Sequence, residues 1–164
     1  MVVTTGSQEE TLCLGKRIGK WLLPGDIILL SGEMGAGKSV LARGIAAGLG
    51  ISGPVPSPSF TILNVYETEC CNLYHFDFYR ISGVNELYES GLDEVSPATD
   101  GVAVIEWPEN ALQILPENSI WIRIKVEQGI RLIEVEEGNR IDALLTESFS
   151  KEGRGKKHSE CFTA

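Results

Sequence analysis

The spacing of apolar residues changes along the chain, and each change marks an element. Over residues 8–23, Leu14, Ile18, Trp21 and Leu22 recur at three- and four-residue steps, which predicts a helix with one buried stripe. Ser7-Gln8-Glu9-Glu10 fits a capping box at its start, the Ser7 hydroxyl and the Glu10 carboxylate each taking an otherwise free N–H, and Pro24-Gly25 stops it. The run Asp26-Ile27-Ile28-Leu29-Leu30-Ser31 reads as a strand, and residues 40–47 as a helix. Two strand-like stretches, 60–67 and 72–80, joined by Thr68-Glu69-Cys70-Cys71, predict an antiparallel hairpin.

In the second of these the two-residue period puts Tyr74, Phe76 and Phe78 on one face, which is core. His75, Asp77 and Tyr79 fall on the other, which is chemistry or solvent. A short helix over 83–90 carries Val84, Leu87 and Tyr88, and Gly91-Leu92-Asp93-Glu94 follows as a turn. Gly101-Val102-Ala103-Val104-Ile105-Glu106 is an apolar run ending in an acid, the pattern of a buried parallel strand whose carboxyl end reaches a site. After a helical turn over 109–115, strands 119–127 and 130–136 are divided by Gln128-Gly129 and should form a hairpin. Residues 139–149 predict an amphipathic helix with Ile141, Leu144, Leu145 and Phe149 on its stripe. Residues 1–150 are expected to form a single domain, and 151–164, polar and locally basic, a disordered tail.

Length and charge narrow the classes. A chain of 164 residues has room for a proper core but not for a large motor ATPase. A net charge of -9 argues against a surface that grips nucleic-acid phosphates by itself. Cys13, Cys70, Cys71 and Cys161 show no C-x-x-C spacing and read as reduced thiols. With no signal-like amino terminus and no apolar run near the ~18 residues of a membrane span, no membrane association and a cytoplasmic location are expected.

The chemistry gathers around Gly32-Glu33-Met34-Gly35-Ala36-Gly37-Lys38-Ser39, a G-x-x-x-x-G-K-S sequence between a strand and a helix that begins with Val40. Glycines are needed because a loop wrapping a phosphate chain turns successive N–H groups inward, through conformations a β-carbon obstructs. Lys38 is placed for the β- and γ-phosphates and Ser39 for a bridging magnesium, so the expected ligand is Mg-nucleoside triphosphate, contacted along Glu33, Gly35, Ala36, Gly37, Lys38, Ser39 and Val40. Glu9 or Thr11 at the start of the first helix, and Arg131 in the last hairpin, are candidates to lie near the base or a phosphate.

Three further stretches bear on this site. Pro54-Val55-Pro56-Ser57-Pro58-Ser59 is a stiff loop that either presents Ser57 and Ser59 to a γ-phosphate or a partner, or merely links helix to strand. Asp77, between His75 and Tyr79, is a candidate to orient a water for attack on the γ-phosphate or to hold a magnesium-bound water. Glu106 ends its strand where an acid would hold magnesium or its waters.

Taken in order, the glycine loop, Ser57-Pro58-Ser59-Phe60, His75-Phe76-Asp77-Phe78-Tyr79-Arg80 and Ile105-Glu106-Trp107-Pro108 resemble the TsaE family, small bacterial ATPases needed to make threonylcarbamoyladenosine in tRNA. The resemblance covers roughly residues 7–136. It implies a three-layer α/β P-loop NTPase fold, with a mixed parallel/antiparallel sheet flanked by helices. It further implies Lys38 on the phosphates, Ser39 and Glu106 on Mg2+, Asp77 as the catalytically important acid, Trp107 beside the magnesium acid and Arg131 on the nucleotide. Ser57 to Phe60 corresponds to a switch-like loop, and His75, Tyr79, Arg80 and Trp107 join Ser57 and Ser59 as switch or partner residues. Family members usually carry threonine where this chain has Ser39 and Ser59; both changes keep the hydroxyl. ATP is then hydrolysed to ADP in an assembly with the TsaD and TsaB proteins, with tRNA met only indirectly through the complex. Two other readings compete: a small-molecule P-loop kinase, for which no arginine-bearing lid is evident, and a nucleotide-gated binding module that never turns over.

Overall fold

The structure is a computed structural model that describes residues 1–68, 71–89 and 100–152. Its centre is a seven-stranded sheet: β1 (Val2–Thr5), β2 (Ile27–Gly32), β3 (Leu63–Tyr66), β4 (Asn72–Asp77), β5 (Gly101–Glu106), β6 (Ile120–Glu127) and β7 (Ile130–Val135), in the order β1-β7-β6-β2-β5-β4-β3. The inner strands β6, β2, β5 and β4 are parallel, and β1, β7 and β3 add on antiparallel at the two sides. Parallel strands need both faces covered. On one face lie α1 (Gln8–Gly19), α2 (Lys38–Gly48) and α4 (Arg140–Glu152), whose Leu14, Ile18, Leu41, Ile45, Ile141 and Leu145 share a core with Ile28, Leu30, Val104 and Ile122. On the other face, α3 (Val84–Glu89) and a 3-10 stretch (Pro108–Ile114) bring Leu87, Ala111 and Ile114 onto Ile27, Leu29, Phe76, Phe78 and Ile105. The three-layer α/β arrangement with a mixed sheet is thus the observed one.

Several boundaries differ from expectation for local reasons. The β-branched run Val2-Val3-Thr4-Thr5 forms β1, a strand the helix-led reading passes over. Helix α1 ends at Gly19 because Trp21 and Leu22 turn their N–H groups to Ile18 and Gly19 in tighter i to i+3 bonds, while Leu22 still reaches the core. Its cap is the expected one in outline: Ser7 Oγ accepts from Glu10 N at 3.1 Å, but the Glu10 carboxylate takes Gly6 N at 2.8 Å. The expected strand over 60–67 shortens to β3, because Thr61 and Ile62 donate to the Pro58 carbonyl and make a turn. Ile62 leaves that turn at φ 66, a costly backbone for a β-branched residue. Gln128 and Gly129 both have positive φ, as the tight turn between β6 and β7 requires. The expectation of reduced thiols throughout fails at Cys13, which is disulfide-bonded; Cys71 is buried. The expected turn at Gly91-Leu92-Asp93-Glu94 and all but the first two residues of the expected tail lie outside the described residues, and α4 itself runs on to Glu152.

No described helix is long and apolar enough to cross a membrane.

Candidate functional site

Strands β2, β4 and β5 run in the same direction, so their carboxyl ends lie side by side. In an open α/β sheet the crevice beyond these ends is where ligands gather. Here the register sets Leu30 beside Glu106 and Glu106 beside Asp77. β2 passes directly into the glycine loop, and α2 begins at Lys38.

The loop's backbone explains its composition. Gly35 and Gly37 adopt φ 78 and 112, in the left-handed region, and a β-carbon built on Gly32 would stand 2.3 Å from the Ile124 carbonyl oxygen. No side chain caps α2, whose N-cap is Gly37. Its first-turn N–H groups are therefore suited to an anion.

Lys38 is only 4% exposed. Its Nζ donates to the carbonyls of Gly32 at 2.6 Å and Glu33 at 2.9 Å, and sits 3.6 Å from the centroid of the Trp107 ring. Burial pushes its pKa down, partly opposed by the negative charges of Glu106, Glu109 and Asp77. Trp107 reaches this position from a left-handed backbone, φ 59 and ψ 49, and its other neighbour is Tyr79, with ring centroids 5.0 Å apart.

Two carboxylates face Lys38. Glu106 Oε2 accepts from Ser39 Oγ at 2.7 Å, and Glu106 Oε1 meets His75 Nε2 at 3.0 Å. Asp77 Oδ2 accepts from both Ser57 Oγ and Ser59 Oγ, the latter at 2.6 Å, while Oδ1 accepts from Tyr79 N at 2.9 Å. The proline-held loop is therefore tied to the end of β4 rather than being a plain linker.

These groups line one cavity of about 500 Å³, bounded by Met34, Gly35, Gly37, Lys38, Ser39, Val40, Ser57, Ser59, Asp77, Tyr79, Arg80, Glu106 and Trp107, with Gln8 and Phe60 at its edge. Most of the expected site residues meet there. Glu9, Glu33, Ala36, Arg131 and His75 do not line it. Glu9 is an exposed residue of α1, and its neighbour Gln8 is the one that reaches the cavity. Glu33 is exposed and contributes its carbonyl to Lys38, and Ala36 is buried. Arg131 lies against the loop: its Nε is 3.1 Å from where a Gly37 β-carbon would be, and this nitrogen is buried without a hydrogen-bond partner among the described residues. His75, expected among the switch or partner residues, is 1% exposed and lies within the core rather than at the surface. Gln8 and Met34 also line the cavity, and the sequence marks neither: Gln8 is an interior position of a capping box and Met34 a variable position of the glycine loop.

A second groove, of about 600 Å³, between α3 and the 3-10 stretch contains Glu86 and Glu109 as its charged residues, and none of the expected site residues.

A strand, a glycine loop and a helix N-terminus over a mixed sheet, with a buried lysine and two acids at the strand ends, define an α/β protein of the P-loop-like class. The family model described as threonylcarbamoyl adenosine biosynthesis protein TsaE matches residues 5–133, and the chain belongs to this family. Among its relatives, the tRNA threonylcarbamoyladenosine biosynthesis protein TsaE of Streptomyces coelicolor is 44% identical over 125 residues, covering 74% of this chain and 83% of the relative. The Bacillus subtilis protein of the same description is 37% identical over 147 residues, 87% of this chain and 90% of that one. The crystal structure of the Bacillus subtilis protein YdiB superposes with a TM-score of 0.70 at 32% identity, covering 93% of this chain and 95% of the other. Family membership gives the protein a role in tRNA modification.

Proposed function

We propose that this TsaE-family protein hydrolyses ATP to ADP and phosphate with Mg2+, in complex with the TsaD and TsaB proteins, to support or reset the threonylcarbamoyladenosine modification cycle of tRNA. The observation that carries the reading is the convergence of Lys38, Ser39, Asp77 and Glu106 on one cavity at the strand ends. Ser39 Oγ and Glu106 Oε2, already 2.7 Å apart, are hard oxygen donors of the kind Mg2+ takes. Mg2+ needs only one or two such protein ligands, because the phosphates and water complete its shell. When bound it neutralises phosphate charge.

The protein's own groups then have separate tasks. The loop amides and Lys38 hold the β- and γ-phosphates; to do so the ammonium exchanges the carbonyls of Gly32 and Glu33 for phosphate oxygens. Asp77 accepts the proton of the attacking water as the new P–O bond forms and the bond to the ADP oxygen breaks. Its Oδ2 accepts from the hydroxyls of Ser57 and Ser59, so this acid works only after the loop carrying them lets go. That fits slow hydrolysis alone and acceleration by a partner. At the rim, Met34 and Phe60 are 67% and 83% exposed, and the Arg80 guanidinium lies over the Phe60 ring at 4.2 Å, an apolar and cationic edge suited to protein contact. The same occupied Asp77 favours, as second reading, a nucleotide-gated module that never turns over.

ATPase assays with and without the purified TsaD–TsaB pair test this. Stimulated hydrolysis is expected, and Asp77→Ala should bind ATP normally while losing about 100-fold or more in turnover, the usual range for a general base. No stimulation, with binding intact, selects the second reading. Phosphate appearing on an added metabolite would instead mark a kinase.

A further inference from the structure

We propose that His75 is a positioning residue for Glu106: it clamps one carboxylate oxygen from within the core and leaves the other aimed at Ser39 and the metal. The inference rests on the reading of Glu106 as a magnesium-binding acid. His75 and Glu106 are each 1% exposed, and their contact, Nε2 to Oε1 at 3.0 Å, crosses from β4 to β5. The register explains the direction of approach. Asp77 pairs with Glu106 and His75 with Val104, two residues back along both strands. His75 therefore comes at the carboxylate from the protein side, while Glu106 lines the cavity and His75 does not.

The chemistry of the pair is fixed by the acceptor. A carboxylate only accepts, so Nε2 carries the proton and donates it to Oε1. The other ring nitrogen, Nδ1, is buried with no hydrogen-bond partner among the described residues. Burying an unpaired polar nitrogen is costly, so the ring is held there by its other contacts.

The two bonds to Glu106 differ in what happens on loading. Ser39 Oγ is itself a candidate ligand, so its bond to Oε2 would give way if both oxygens held a cation. The His75 bond is not in that path and persists. It is then the restraint that keeps a three-torsion side chain in one orientation, as outer partners of metal ligands do, and loss of such partners lowers metal affinity by about 10–100-fold.

The test compares His75→Leu, which keeps bulk and removes the donor, with His75→Gln, whose amide N–H extends toward the same oxygen. ADP binding is measured by calorimetry in EDTA and across a Mg2+ series, alongside thermal melts. The expected result is metal-selective. His75→Leu binds ADP in EDTA like the wild type but needs about tenfold or more Mg2+ to reach the metal-dependent gain, and His75→Gln restores most of it. If the leucine variant does not fold, His75→Asn, whose amide is too short to span to Oε1, is expected to show the same loss against glutamine. A folded variant without the donor that responds to Mg2+ like the wild type overturns the inference. So does an equal loss of ADP binding in EDTA, which marks a purely structural role. Wild-type ADP binding that is indifferent to Mg2+ overturns the magnesium reading of Glu106 and this inference with it, whereas a His75-specific failure leaves that reading standing.

Discussion

Lys38 shows how much of this site depends on a single residue being in the wrong solvent. Its ammonium is buried, held by two loop carbonyls and an indole face, and burial lowers its pKa. A lysine whose folded-state pKa lies below its unfolded value releases its proton earlier in the folded protein than in the unfolded chain. Below the folded pKa the charge is present in both states, and its full desolvation cost weighs on the fold. Between the two values the unfolded chain binds more protons, so stability rises with pH across that window and then levels off. Urea midpoints of the nucleotide-free protein at pH 8 and pH 10 check this. Against the background of other alkaline groups, the wild type should gain more between the two pH values than Lys38→Met, and Lys38→Met should be the more stable at pH 8. Equal pH responses would mean that Lys38 is not desolvated. At this scale the places of Lys38, Ser39 and Glu106 at the cavity are legible in the sequence, because they follow from residue type beside chain neighbours. The His75–Glu106 bond was out of reach: it depends on the register between β4 and β5, which no single stretch encodes.

Among the elements, α1 and α2 meet more closely than helices with ordinary side chains can. A β-carbon on Gly15 would stand 2.5 Å from the Leu41 carbonyl oxygen, on Gly19 2.2 Å from that of Ile45, on Gly44 2.3 Å from that of Leu12, and on Gly48 2.4 Å from that of Lys16. The obstacles are backbone, so no side-chain rotation relieves them. Gly44→Ala is the informative change, because alanine is favoured over glycine within an isolated helix by about 1 kcal/mol. Overpacking instead costs about 1–3 kcal/mol and forces the helices apart. A net loss of about 1–2 kcal/mol in chemical denaturation is expected, and a gain would show that the two helices slide freely. The signal was present in the sequence as two glycine pairs four residues apart, Gly15/Gly19 and Gly44/Gly48. An apolar-stripe reading treats glycine as a gap, and so it found the stripe of Leu14 and Ile18 while missing the contact that sets the helix spacing. Short strands suffered similarly: β1 has four residues, too few for a period to show, and β3 was read too long because the turn after Pro58 is made by backbone bonds.

For the whole molecule, the parallel centre of the sheet gathers ends that are far apart in sequence: Gly32 at the end of β2, Asp77 at the end of β4 and Glu106 at the end of β5. The layer order was legible because unbroken apolar runs signal strands covered on both faces, and the motif order then said which ends meet. The cavity they make joins the glycine loop, the proline-held loop and both acids, so a ligand seated there ties α2, β4 and β5 together. Binding to the folded state alone stabilises it by RT ln(1 + [L]/Kd), about 2.7 kcal/mol at a hundredfold excess over Kd. For a domain of this size that corresponds to a rise of roughly 5–10 °C in Tm. Thermal melts of Asp77→Ala, chosen because it should bind ATP without consuming it, are expected to show this rise with Mg-ATP and a smaller one with ATP in EDTA. Adding Ser39→Ala should erase the difference between the two, since the hydroxyl that pairs with Glu106 is gone while Lys38 and the loop amides remain. A shift of the same size with and without Mg2+ in Asp77→Ala itself would mean that the loop binds phosphate without the metal, and Glu106 would lose its proposed task.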